Sequence, residues 1–179
     1  MVITQNEDLY ERMQLLRNHG MKPDRRYFHE VAGHNFRMTN LQAALGWAQL
    51  QKKDYFCRRR RMITEYYRKF FQKYPNIIFQ EIKPSEHPVY WANAIRLEAS
   101  ADHPRDEVMA HLAALGIETR PGFVTFDQMP PYQAHPLPVA RSLSEAVICL
   151  PTYVTLEKHD LQEICREVKR FTIKEKSLF

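Results

Sequence analysis

Glycine is scarce in this chain of 179 residues, with five in all and none of them closely spaced. That excludes a glycine-rich loop folded around a phosphate, and no Gly-x-Ser-x-Gly turn is present to expose a nucleophilic serine. Cysteine is scarcer still: Cys57, Cys149 and Cys165 are odd in number and far apart. They form no Cys-x-x-Cys pair, which argues against a disulfide framework and points to a reducing, cytoplasmic setting. No apolar run approaches the roughly 18 residues a membrane span requires, and the opening residues carry no export signal, so no membrane partner is expected. His29 and His34 bracket a glutamate as in a zinc helix. Their spacing of five sets them about 140° apart on a helix, and no metal site is expected.

What the chain does have is positive charge, a formal +5 with an isoelectric point near 9.1. The densest feature, Arg58 to Arg61, lies in a helical pattern, where four successive side chains fan around the axis instead of forming a stripe that could track a nucleic-acid backbone. A solvated helix face is expected, and no nucleic-acid partner. With 44% hydrophobic residues the chain is long enough to bury a core.

Along the chain, Val2 to Thr4 reads as the end of a strand, followed by an Asn6 cap and a helix that shows Leu9, Met13 and Leu16 on one face and ends at Gly20. Residues 21–38, with Pro23 and Gly33, read as a loop. Thr39 and Gln42 have the spacing of a capping box, and no proline interrupts the run to Tyr74, so one long helix is expected, with Leu41, Ala44, Leu45, Ala48, Tyr55, Met62, Ile63, Tyr66 and Phe70 on its apolar side. Beyond Pro75 come short strands at Ile77–Ile82, Val89–Leu97, Ile117–Arg120 and Val147–Leu150. Helices are expected from Pro104 to Gly116, near Val139–Ala146, and from Glu157 to Phe171 with Leu161, Ile164, Cys165 and Val168 buried. Trp91, in a strand, reads as a core aromatic. The fold class expected is α+β: a long bridging helix plus a small two-layer domain with a short, mainly antiparallel sheet.

The chemically informative stretch is Gly33-His34-Asn35-Phe36-Arg37-Met38-Thr39-Asn40-Leu41-Gln42-Ala43-Ala44-Leu45-Gly46. Asn35 offers amide donors and Arg37 a planar guanidinium just ahead of a helix N-terminus, where unpaired N–H groups and the dipole favour an anion. The residues leave two readings open: a phosphate site, or a loop capped by Asn35 with Arg37 in a surface ion pair.

This segment is similar to a motif of the DegT/DnrJ/EryC1/StrS aminotransferases, pyridoxal-phosphate (PLP) enzymes that aminate nucleotide-linked keto-sugars. The likeness continues through Leu15-Leu16-Arg17-Asn18-His19-Gly20, Tyr90-Trp91, Gly116 to Pro121, and Leu150-Pro151. The resemblance implies an α/β PLP-transferase fold of the aspartate-aminotransferase type, seen here as its C-terminal half. Residues 1–38 would be a remnant of the large cofactor domain and active-site loop, 39–74 the long bridging helix, and 75–179 the small C-terminal α+β domain.

It further implies that Asn35 reaches the PLP phosphate of the neighbouring subunit in a homodimer. Arg37, Arg120 and Asp127 fall at substrate-binding positions, with Arg120 either orienting a carboxylate or pairing structurally. His34 and Phe36 stand where the family has tyrosines, and Asp127 where many members have histidine. The Schiff-base lysine of the family would precede Met1, so the chain by itself is expected to carry no catalytic residue, to hold no PLP stably and to be inactive in transamination. In an intact enzyme an amino acid, glutamate, would load the cofactor and a nucleotide-sugar would receive the amino group. The alternative from another functional class is a non-catalytic binding or dimerisation module derived from such an enzyme.

Overall fold

A computed structural model describes residues 2–98, 105–132 and 135–172. They form two compact units, Met1–Lys52 and Lys53–Phe179, each taken by itself below. The first holds α1 (Glu7–Arg17), a loop, and α2 (Asn40–Gln51). The Asn6 side chain accepts from the N–H of Leu9, with Glu7 and Asp8 in the first turn where the helix dipole favours acids. The Thr39 hydroxyl accepts from the Gln42 N–H while Gln42 accepts from the Thr39 N–H, which is the expected capping box. Residues 2–4 are not a strand, and Val2 and Ile3 are exposed. Thr4 instead accepts from the Asn6 N–H and turns the chain into the helix.

The expected long helix is two helices. Lys52 closes α2, its N–H shared between the carbonyls of Gln49 and Leu50, and α3 (Lys53–Phe71) begins at the next residue. No glycine or proline lies near the break to signal it. The buried face of α3 agrees with the expected one at Ile63 and differs elsewhere: Thr64, Tyr67 and Phe71 are buried with it, whereas Met62 is exposed and Tyr66 and Phe70 only half-buried.

The second unit is a four-stranded antiparallel sheet in the order β1 (Ile77–Phe79), β2 (Asn93–Leu97), β4 (Val147–Leu150), β3 (Arg120–Pro121). With α4 (Arg105–Ala114) and α6 (Lys158–Thr172) it is the expected α+β arrangement. In β2 the pleat sends Asn93, Ile95 and Leu97 into the core and leaves Ala94 and Arg96 half-exposed. Ile148 and Leu150 of β4 join them, closed over by Ile63, Tyr67 and Phe71 of α3, Val108 and Leu112 of α4, and Leu161, Ile164, Cys165 and Val168 of α6. Gly116 has φ +78° and stops the turn after α4, as its position predicts. Pro104 lies outside the described residues. α5 (Pro138–Ala146) rests against β2.

Several strands are shorter than expected, and Trp91 falls outside β2, 58% exposed, so it is not a core aromatic. Two side chains tie the unit's loops to α3. Arg59 donates through Nε to the Val154 carbonyl (3.0 Å) and through its terminal nitrogen to the Leu156 carbonyl (2.6 Å), and the Tyr67 hydroxyl donates to the Pro151 carbonyl (3.0 Å). Burial pushes the Tyr67 hydroxyl well above the ordinary tyrosine pKa. Among the described residues no helix is long and apolar enough to cross a membrane.

Leu112 is fully buried between α6 and the sheet. Leu112→Ala is expected to lower stability by about 2–5 kcal/mol in urea unfolding, whereas Leu115→Ala, at a 48% exposed side chain, should cost well under half as much.

Candidate functional site

In the first unit the site segment is held by a close approach of two backbones. Gly20 has φ +75°, and a Cβ added there would lie 1.9 Å from the Val31 carbonyl oxygen. A Cβ at Gly33 would lie 2.1 Å from the Gly20 nitrogen. Only glycine fits at either place. Across this contact the His34 N–H donates to the Leu16 carbonyl (2.7 Å), the His19 N–H to the His34 carbonyl (3.0 Å) and the Phe36 N–H to the Arg17 carbonyl (3.2 Å). Asn18 and Asn35 meet as an antiparallel bridge.

The laced segment presents its side chains outward. Asn35 and Arg37 are both exposed. Among the described residues the Asn35 amide has no partner, and Arg37 donates to Asn18 Oδ1 at 3.3 Å, with no carboxylate tying it up. The His34 and Phe36 rings stack on each other with centroids 4.8 Å apart. Arg37 lines a cavity of about 1040 Å³ together with Arg12, Arg17, Lys22 and Arg26; Asn35 is not on its walls. Three acids share those walls. One of them, Glu30, is 2.7 Å from Lys22 and, by that hydrogen bond, holds the lysine's pKa above its ordinary value. Lys22 is therefore a protonated, poor nucleophile.

In the second unit Arg120 opens β3 directly across from Cys149 and lines a separate cavity of about 710 Å³. Burial raises the Cys149 thiol pKa, and the Arg120 guanidinium partly offsets this. The same cavity takes in Arg60, which the arginine run disguises as one more solvated cation in the sequence. Trp91 is on its wall, with its ring 6.5 Å from that of Phe123.

Asp127 is occupied locally. One carboxylate oxygen accepts from the Thr125 hydroxyl and the other from the Leu137 N–H at 3.1 Å. Leu137 precedes α5 and has no side chain able to cap it, so Asp127 caps the helix from ten residues upstream. The Thr125 hydrogen bond, followed by that from Leu137, holds the Asp127 carboxyl below the usual carboxylate range. Among the described residues no cluster of side chains could hold a metal ion.

The sequence profile of the DegT/DnrJ/EryC1/StrS aminotransferase family matches residues 1–169. The GDP-perosamine synthase of Caulobacter vibrioides is 36% identical over 169 residues, covering 92% of this chain and 45% of the relative. That of Escherichia coli O157:H7 is 35% identical over 175 residues, covering 96% and 46%. Among solved structures, DesV from S. venezuelae superposes with a TM-score of 0.78 at 30% identity, covering 95% of this chain and 46% of DesV. The chain spans about half the length of the curated relatives it matches.

Because its folded-state pKa is depressed, the Asp127 carboxylate contributes stability at pH above the ordinary carboxylate value of about 3.9. That contribution is lost as pH falls through the lower, folded-state value. The gap in Tm between the native chain and Asp127→Asn is therefore expected to be widest above about pH 5 and to shrink progressively below pH 4. In the first unit, Gly33→Ala is expected to speed the amide exchange of His34 and Phe36, measured by NMR, while leaving that of β2 and β4 unchanged.

Proposed function

The chain belongs to the DegT/DnrJ/EryC1/StrS aminotransferase family, and from that membership we propose that it is the C-terminal portion of a PLP-dependent enzyme transferring an amino group from an amino acid, glutamate, to a nucleotide-linked keto-sugar. In this reading residues 1–38 belong to the cofactor domain and active-site loop, 39–74 bridge, and 75–179 are the small domain. The intact enzyme is a cytoplasmic homodimer. The observation that carries the proposal is the segment 33–37, which combines the family's pattern with an outward-facing Asn35 and Arg37 that no local carboxylate neutralises.

The residues present fit one part of the cofactor. Asn35 has a free amide on a segment pinned by three main-chain hydrogen bonds and is suited to the PLP phosphate. Lys22 and Lys53 do not fit the aldehyde: Lys22 is paired with Glu30, and the exposed Lys53 lies 3.7 Å from Asp54. When bound, PLP supplies an electron sink for proton removal at the amino-bearing carbon. This chain's own residues bind and orient. Arg37, among the cations of its cavity, places the anionic groups of the sugar nucleotide, and Arg120 orients a carboxylate. Asp127 holds Thr125 and Leu137 through its two oxygens, and each oxygen keeps a further acceptor site for a substrate donor. In relatives named as GDP-perosamine synthases the product is an amino-sugar nucleotide, and this chain would serve the same supply of amino-sugars to polysaccharide biosynthesis.

A second reading, a non-catalytic assembly module, is favoured by α2. Every residue of that helix is exposed, Leu41, Leu45, Trp47 and Leu50 included. Sedimentation of the chain as a defined dimer without any PLP-dependent activity in a larger assembly would select it.

The transaminase reading is tested by a fusion in which this chain replaces the matching C-terminal portion of a family enzyme. PLP binding and glutamate-dependent amination of a nucleotide keto-sugar are expected. Asn35→Ala should weaken PLP about tenfold, and Arg37→Ala should raise KM for the sugar nucleotide more than it lowers kcat. A folded fusion that binds PLP and transfers no amino group would remove the proposal.

A further inference from the structure

Helix α2 carries no charge from Asn40 to Gln51, and all 12 of its residues are exposed. At about 100° per residue its apolar positions fall into two stripes on opposite sides of the axis. Leu41, Ala44, Leu45 and Ala48 make one. Ala43, Gly46, Trp47 and Leu50 make the other. Gln42 and Gln49 separate them along one flank, and Asn40 and Gln51 along the other. A helix with a single apolar stripe is covered by the one body it lies on. Two stripes call for a cover on each side, which makes α2 a middle layer between two bodies.

The stripe of Trp47 describes its own partner. About a two-fold axis passing between Gly46 and Trp47, an antiparallel copy of the helix sets Ala43 against Leu50 and Gly46 against Trp47. Small then meets large at every level, each pair occurring twice. Beyond its chain neighbours and the helix backbone, nothing lies within 4 Å of where a Cβ on Gly46 would stand, and Trp47 beside it is 65% exposed. No positive φ calls for glycine at this position. An uncovered indole next to an open glycine suits a close crossing of two helices, and tryptophan is the side chain most enriched where surfaces meet. The opposite stripe has neither an aromatic anchor nor a glycine to seat one. Charge agrees with the arrangement. Antiparallel copies lay the N–H end of each helix dipole beside the carbonyl end of the other. No charged side chain of α2 opposes the approach, in a chain that otherwise carries a formal +5.

We propose that α2 pairs antiparallel with the α2 of a second copy of this chain, Trp47 of each seated over Gly46 of the other and Leu50 over Ala43. The inference names a surface for the homodimer of the transaminase reading and rests on that reading only for the expectation that two copies meet. The paired stripes would bury on the order of 700 Å² in all, less than the roughly 1,200 Å² of a stable interface. Pairing of this chain is therefore reversible and concentration-dependent.

Sedimentation equilibrium of the full chain, taken up to about 1 mM, tests it, and a monomer–dimer equilibrium with a Kd on the order of 100 μM is expected. Gly46→Leu has room in the monomer and replaces the weakest helix former of α2, so circular dichroism should show no loss of helix. The added side chain fills the seat of the partner's indole and should raise Kd about tenfold or more. Trp47→Ala should act in the same direction, whereas Leu45→Ala, on the opposite stripe, should leave Kd within about twofold. For orientation, with Cys57→Ser in every chain, Ala43→Cys chains are expected to form disulfides with Leu50→Cys chains in preference to one another. A chain that stays monomeric throughout, a dimer that withstands Gly46→Leu, a dimer broken by Leu45→Ala instead, or Ala43→Cys chains that join chiefly to themselves would each overturn the proposal. A fusion that transfers amino groups as a dimer indifferent to Gly46→Leu would remove this inference alone. A chain that pairs through α2 while the fusion transfers nothing would leave it standing and remove the transaminase reading.

Discussion

The contact between the backbones of Gly20 and Gly33 is the constraint on which the first unit's chemistry depends. Two main chains come so near that a single methyl group at either position would collide with the other, and the hydrogen bonds of His19, His34 and Phe36 form across the gap. Asn35 and Arg37 sit immediately past this clasp and take their direction from it, because alternate side chains of an extended segment leave on opposite sides. A unit in which Gly20 is the one buried residue among those described cannot fix side chains by core packing. It fixes them by hydrogen-bonded backbone, and glycine is the means.

The second unit works in the opposite manner. Its sheet face and three helices enclose a continuous apolar core, and its cavity is a by-product of where the core ends. Arg59 and Arg60 divide two tasks between adjacent positions of α3. A step of about 100° around the helix turns the first toward the carbonyls of Val154 and Leu156 and leaves the second on the cavity wall. One arginine of the run of four is thus structural, one is uncompensated at the cavity, and Arg58 and Arg61 are exposed.

The legible parts of the sequence were those with local causes. The capping box at Thr39, the Asn6 cap, the stop at Gly116 and the buried face of α6 depend on residues a few positions apart, and the structure has them as read. The α3 face was read as buried at Ile63 but one residue off at Tyr67 and Phe71, because apolar residues come in neighbouring pairs, Tyr66-Tyr67 and Phe70-Phe71, and periodicity alone cannot choose between two stripes one residue apart. Trp91 looked like core because apolar residues run up to β2, yet the ladder begins only at Asn93. For the site, the segment containing Asn35 and Arg37 could be singled out from its residue types. The capping duty of Asp127 rests on Leu137, ten residues on, and Arg60 shares its cavity wall with Trp91 and Arg120 far along the chain, relations which no spacing rule reveals.

The margins of the sheet carry a consequence for how the second unit meets other molecules. β1 is three residues long and β3 two, and the second residue of β3 is Pro121, which has no N–H to offer a newcomer. An incoming strand would find almost no ladder to extend, so edge-to-edge growth into a larger sheet is blocked at both sides. Any association of this unit has to be written in side chains, where shape and charge can discriminate, and cannot rely on the indiscriminate pairing of bare backbone.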